Sequence, residues 1–103
     1  MKLTIRDKIL LHLYRCKFLG GPSEEQTRRG ITKACNDFVE SELSSLRRAD
    51  FIDGKRVAVH GSSERQLIAY SLTRQGEFAA EELIREIVAL HNKVLPLIKT
   101  EVR

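Results

Sequence analysis

Ala69-Tyr70-Ser71-Leu72-Thr73-Arg74-Gln75-Gly76-Glu77-Phe78 changes its hydrophobic period within a few residues. Ile68, Tyr70 and Leu72 alternate like the inward face of a strand, whereas apolar residues from Phe78 onward recur at helical spacing. Thr73 stands at the junction, where its hydroxyl can accept from an orphan N–H of the new helix. Gly76 takes the place that Glu or Gln would fill in a capping box. A glycine inside a helix costs about 0.8–1.0 kcal/mol relative to alanine. That cost predicts close backbone approach between this first turn and a neighbouring element.

Upstream of this junction, Phe51 and Ile52 open an extended segment reaching to about Val59, with Val57 and Val59 on one side. The polar run His60-Gly61-Ser62-Ser63-Glu64-Arg65-Gln66 separates it from Leu67–Leu72, so the two strands form an antiparallel hairpin. Three helices precede it. Thr4 and Asp7 form a Thr-x-x-Asp box for the first, and Ile5, Ile9, Leu10, Leu13 and Cys16 mark its buried stripe, widened by Leu11 and Tyr14. Phe18-Leu19-Gly20-Gly21-Pro22 stops it. The second starts at Ser23 or at Thr27 and buries Ile31, Ala34 and Cys35, with Asn36 as its left-handed end. Asp37, with Glu40 three residues on, reads as the start of a third, whose Val39, Leu43 and Leu46 make one face. After the hairpin a long helix runs from Thr73, and Pro96 is expected to kink or end it near Asn92–Leu95.

The chain has 103 residues, with eighteen basic and fourteen acidic for a formal charge of +4. Its length fits one domain, and no apolar run approaches the roughly 20 residues that cross a bilayer. The acidic Asp7 falls where a signal peptide would be apolar, so a cytoplasmic location is expected. The basic excess is concentrated in residues 1–21, with five basic and one acidic residue. That permits a nucleic-acid partner without requiring one. Cys16 and Cys35 read as small buried hydrophobes rather than a disulfide framework. His12 and Cys16 are four apart on a helix face, yet no second ligand pair has comparable spacing, so no metal site is expected. With no phosphate-binding glycine loop, paired carboxylates or nucleophile–base spacing, neither enzymatic activity nor a cofactor is expected.

Three passages carry a family resemblance. Thr27-Arg28-Arg29-Gly30-Ile31-Thr32-Lys33-Ala34 is similar to the helix-2 pattern Thr-x-x-Gly-Ile-Ala-x-Ala. Val39-x-x-x-Leu43-x-x-Leu46-x-x-x-x-Phe51-Ile52 is similar to a recognition helix entering a wing strand. Tyr70-x-Leu72-Thr73-x-x-Gly76 resembles the return strand entering the following helix. Together, over about residues 5–80, the chain resembles the small winged helix-turn-helix transcriptional regulators of archaea and bacteria, of MarR-like and PadR-like type. The resemblance implies an α+β fold of three helices, a β-hairpin wing and a long C-terminal helix. Residues 1–76 would form the DNA-binding part, and 77–103 a dimerisation helix within the same compact domain. Two departures stand out. The turn between helices 2 and 3 is about three residues shorter than the family's, and Asp50 replaces the usual glycine before the first strand.

The residues themselves bear on such a function. On a helix over about 37–49, Ser41, Ser44, Ser45 and Arg48 lie opposite Val39, Leu43 and Leu46. Short hydrogen-bonding side chains allow close approach to base edges, and arginine suits guanine or phosphate. Glu40 and Glu42 on the flanks oppose a polyanion, and the plain alternative is a solvated, serine-rich face. Lys55, Arg56 and Arg65, on a wing spanning about 53–70, suit phosphates or the minor groove, with Ser62, Ser63 and Gln66 as further donors. Arg28 and Arg29, in the first turn of helix 2, are further phosphate candidates. On the last helix Leu83, Ile87, Leu90, Val94 and Leu97 form one apolar row, and Ile84, Val88, His91, Leu95 and Ile98 a second. Two rows exceed what so small a domain covers, which predicts a homodimer through Leu83, Ile84, Ile87, Leu90, His91, Val94 and Leu97. The alternative is a helix folded back across helix 1.

The expected function is a homodimeric, sequence-specific regulator of transcription that binds double-stranded DNA, and with it a nucleoid-associated location is expected. The alternatives are a protein-interaction module without nucleic acid and a nonspecific architectural DNA-binding protein. The resemblance also implies a small-molecule effector, although no residue points to its chemistry.

Overall fold

The computed structural model describes residues 2–58 and 66–101, with the backbone alone at 58, 66 and 97–101. It is an α+β fold of four helices and one hairpin. In chain order these are α1 (Ile5–Leu19), a 3₁₀ turn (Ser23–Gln26), α2 (Arg28–Cys35), α3 (Glu40–Arg48), β1 (Ile52–Ala58), β2 (Gln66–Leu72) and α4 (Arg74–Glu101). The order is compatible with a winged-helix layout.

The helix boundaries follow their capping chemistry. Thr4 Oγ1 accepts from the Asp7 N–H and Asp7 Oδ2 accepts from the Thr4 N–H, both at 3.1 Å. That reciprocal box fixes the start of α1. Ser23 and Thr27 each open an element: the first a 3₁₀ turn, the second α2. Thr27 is buried, its hydroxyl donating to the Glu24 carbonyl at 2.7 Å and accepting from the Gly30 N–H at 3.3 Å. A Cβ on Gly30 would lie 2.2 Å from the Glu24 carbonyl oxygen, so α2 sits flush on the 3₁₀ turn. Thr27 also forms an isolated antiparallel bridge with Ala69 of β2, tying the helices to the hairpin.

Three expectations are corrected. The third helix begins at Glu40, not Asp37, and its N-cap Val39 makes no side-chain cap bond. Asp37 Oδ1 instead accepts from the adjacent Phe38 N–H at 2.9 Å, a local turn bond that competes with capping. Ala34 is exposed, leaving Ile31 and Cys35 as the buried side of α2. An eight-residue helix presents only a narrow stripe, and Ala34 falls beside it. Finally, α4 does not end at Asn92–Leu95 but continues through Pro96 to Glu101. Proline lacks an N–H, yet its fixed φ near −65° is itself helical.

The core joins all of these elements. Ile9, Leu10 and Leu13 of α1 are at most 2% exposed, as are Val39, Leu43 and Leu46. Ile31 of α2, Ile52 of β1 and Ala80 of α4 add to it at 0%, 1% and 0%. The strands pair Ile52 with Leu72 and Gly54 with Tyr70, which sets Ile52, Gly54, Tyr70 and Leu72 on the inner face. Asp50, just before β1, has φ +63°, a left-handed conformation that aspartate tolerates better than most residues.

Ile68, expected to face inward with Tyr70 and Leu72, is instead 38% exposed, because it pairs with Arg56 toward the far end of the hairpin, and Ala69 on the other face is buried. The Thr73–Gly76 junction reads as its sequence predicts. Thr73 Oγ1 accepts from the Gly76 N–H at 3.1 Å and donates to the Asp50 carbonyl at 2.6 Å. The Thr73 N–H donates to the Phe51 carbonyl at 3.0 Å. Gly76 is buried, and a Cβ there would stand 2.0 Å from that same Phe51 oxygen. Close by, Lys17 of α1 pairs with Glu77 of α4.

Candidate nucleic-acid interface

Between α2 and α3 the chain turns in four residues. Asn36 takes the left-handed conformation, φ 54° and ψ 43°, which closes α2 as its sequence predicts. Val39 then drops into the core at 1% exposure, and its carbonyl accepts the Leu43 N–H at 2.8 Å. Burial of Val39, Leu43 and Leu46 fixes the rotation of α3 about its axis. Ser41, Ser44, Ser45 and Arg48 are consequently all exposed, on the side away from the core. The structure brings these four together on one short helix.

Arg28 and Arg29 part company. Arg28 reaches from the first turn of α2 to the first turn of α3, its guanidinium 3.2 Å from Glu40 Oε1. Both side chains are well exposed, so solvent screens the pair. Arg29 instead lines an open groove of about 730 Å³ with Lys33, Leu67 and the 3₁₀ turn. Among the described residues, neither Arg29 nor Lys33 makes an ion pair.

On the hairpin, Lys55 and Arg56 are exposed and adjacent, so they project to opposite faces of the ribbon. They stand opposite Ala69 and Ile68 respectively, within the strand rather than at its tip. Arg65, Ser62, Ser63 and His60 lie outside the described residues, as does the side chain of Gln66.

Two residues that sequence reasoning passed over belong to this surface. The Arg47 guanidinium lies over Gly54, its Cζ 3.4 Å from where a Cβ would be. A glycine inside a strand is itself a signal of close approach. Phe38, in the turn before α3, is 92% exposed. Its place between Asp37 and the buried Val39 concealed it, because an apolar pair reads as core.

The groove beside Arg29 is closed on one side by His12. The ring is buried, and its Nε2 lies 2.7 Å from the Glu25 carbonyl. A carbonyl only accepts, so Nε2 carries the proton. Arg15 then donates to Nδ1 at 3.4 Å. His12 thus holds the 3₁₀ turn onto α1. Among the described residues, no group of three His, Cys, Asp or Glu side chains is placed to hold a metal ion. Burial raises the Cys16 thiol pKa above its ordinary value, as does the nearby Glu25 carboxylate, against the opposing effects of Arg15 and a backbone hydrogen bond. Burial also raises that of Cys35. Both shifts favour the protonated thiol over the thiolate.

The C-terminal helix divides along its length. Ala80 and Leu83 pack on the core beside α1. Further on, Ile84 and Ile87 are half-buried, Val88, Leu90 and Val94 are 49%, 42% and 41% exposed, and His91 is exposed. The Leu97 side chain lies outside the described residues. Folding back across α1 therefore accounts for the first turns of α4 and not for its distal half. Among the described residues, no helix is long and apolar enough to cross a membrane.

Comparison with known proteins finds no matching family model, no matching curated protein and no matching solved structure.

Proposed function

We propose that this chain is a winged helix-turn-helix protein that binds double-stranded DNA as a homodimer and regulates transcription. The observation carrying the proposal is α3: one face anchors it in the core, and the other offers three serines and an arginine. Such a helix can enter a major groove closely, with hydroxyls and a guanidinium facing base edges. Arg28 and Arg29 at the start of α2, with Lys55, Arg56 and Arg65 on the wing, then supply cations for phosphates. Ile84, Ile87, Leu90, His91 and Val94, with Leu97, would join two copies, placing two recognition helices about 34–36 Å apart.

Selection from a random duplex pool tests this directly. A two-fold symmetric motif is the expected result. Enrichment without a motif would mean architectural binding, and no enrichment would point to a protein partner. Affinity should fall with salt by about 0.9 log units per log unit for each phosphate neutralised. Ser44→Glu combined with Arg48→Ala should remove site preference and leave the dimer intact, since both residues are exposed and distant in sequence from α4.

The Arg28–Glu40 pair makes a second expectation specific. DNA has to displace Glu40 before Arg28 can meet a phosphate. Glu40→Gln should tighten duplex binding about 3–10-fold, and Arg28→Ala should reduce the steepness of the salt slope by about 0.9. Anisotropy titrations over a salt series measure both. A Glu40→Gln gain that persists in full on an Arg28→Ala background would assign the effect to general repulsion rather than to release of Arg28.

A further inference from the structure

Every other residue of the α2–α3 connection has a task within the molecule. Asn36 ends α2 in the left-handed conformation. Asp37 Oδ1 holds the Phe38 N–H at 2.9 Å. Val39 is 1% exposed and opens α3. The Phe38 side chain has no such task. At 92% exposed it is the most solvent-exposed large apolar side chain among the described residues. Its ring flanks a shallow hollow of about 370 Å³ formed with Thr32, Lys33, Asn36 and Asp37. With its own N–H bonded and the next residue buried, the ring projects from a backbone fixed on both sides.

That position precedes the N-terminus of α3. In a helix-turn-helix, the N-terminal end of the recognition helix lies closest to the base edges. The major groove offers one apolar group on those edges, the C5 methyl of thymine. We infer that Phe38 reads a thymine methyl at one position of each half-site, an inference that rests on the DNA-binding reading above. The serines of α3 offer hydroxyls, which read hydrogen-bonding groups rather than a methyl. Phe38 thus adds a kind of discrimination the rest of the helix lacks. A wedge between minor-groove base steps would need the ring on an element lying in that groove, whereas Phe38 belongs to the approach to α3.

The test begins with duplexes enriched from a random pool by the full chain. Each thymine of the motif is then replaced by uracil, which removes only the C5 methyl. At one thymine per half-site the replacement should weaken wild-type binding about four-fold, as expected for one buried methyl group. Phe38→Ala should bind the thymine and uracil duplexes equally, and Phe38→Leu should keep part of the preference. If no replacement weakens binding, or if Phe38→Ala discriminates as well as wild type, the inference is overturned while DNA binding stands. If the pool yields no enriched duplex, the DNA-binding reading fails first and takes this inference with it. Circular dichroism of both variants should match wild type, because the replaced ring is exposed.

Discussion

Replacing Gly76 by alanine should lower the melting temperature by more than about 10 °C. Helix propensity alone predicts the opposite sign, because alanine is favoured over glycine by about 0.8–1.0 kcal/mol within a helix. The geometry decides the matter. An added Cβ would sit 2.0 Å from the Phe51 carbonyl oxygen and 3.0 Å from its carbon. Ordinary contact would need α4 to retreat by more than about 1 Å from backbone that cannot rotate aside. Retreat would stretch the Thr73 N–H bond to Phe51 and the Thr73 hydroxyl bond to Asp50, now 3.0 and 2.6 Å. Overpacking of this kind costs about 1–3 kcal/mol or more, and each kcal/mol moves the midpoint of a domain this size by about 4–8 °C. Gly76→Leu should be worse, since Leu72 Cδ2 lies 3.1 Å from the same point. Gln75→Ala, one residue earlier and exposed, serves as a control. Thermal unfolding at matched chain concentration measures all three. A Gly76→Ala midpoint at or above wild type would refute the close-packing account.

The second large effect concerns the distal half of α4. Leu90→Glu together with Val94→Glu should convert a dimer into a monomer and weaken duplex binding by at least about 100-fold. Both side chains are some two-fifths exposed in the single chain, so their replacement leaves the protomer core intact. In a symmetric pair each position occurs twice, which puts four carboxylates where apolar contact is expected. The loss in DNA affinity follows from linkage, because two joined half-site readers gain about 10²–10⁴ over one. Sedimentation gives the mass and anisotropy the affinity. A wild-type chain that sediments as a monomer would defeat the proposed arrangement. So would a double variant that remains dimeric.

Local chemistry made most of the fold legible. The Thr4–Asp7 box, the Asn36 terminus and the Thr73 cap each depend on residues near in sequence, and each lies where the sequence places it. The close approach at Gly76 was announced by a glycine in a first helical turn, although its partner, Phe51, is distant in sequence. The misreadings arose where two local rules share a pattern. Asp37 followed three residues later by Glu40 looks like a helix start, but an aspartate can equally bond the next N–H. Pro96 reads as a stop, although its ring fits helical φ. The candidate interface was less legible. Rotation of α3 followed from the spacing of Val39, Leu43 and Leu46, so its exposed serines could be named. The Arg28–Glu40 pair joins residues on different helices, and no periodicity announces it. The separation of Arg28 from Arg29 likewise depends on how α2 seats against the 3₁₀ turn. Phe38 was hidden because hydrophobicity predicts burial on average and says nothing of a single exposed ring.

The seam at Phe51 and Gly76 has a mechanical side. The molecule measures 60 × 29 × 23 Å, and a helix of 28 residues is about 42 Å long, so α4 must run along the long dimension. It is clamped at its N-terminal end, and from Val88 to Pro96 every residue but Leu95 is exposed. Such a helix is a lever. A tilt of about 5° at the seam carries its far end through roughly 4 Å, more than half the width of a minor groove. In the proposed DNA-binding dimer, the distance between the two recognition helices would therefore be governed by the backbone fit at Gly76, far from the contact that joins the copies.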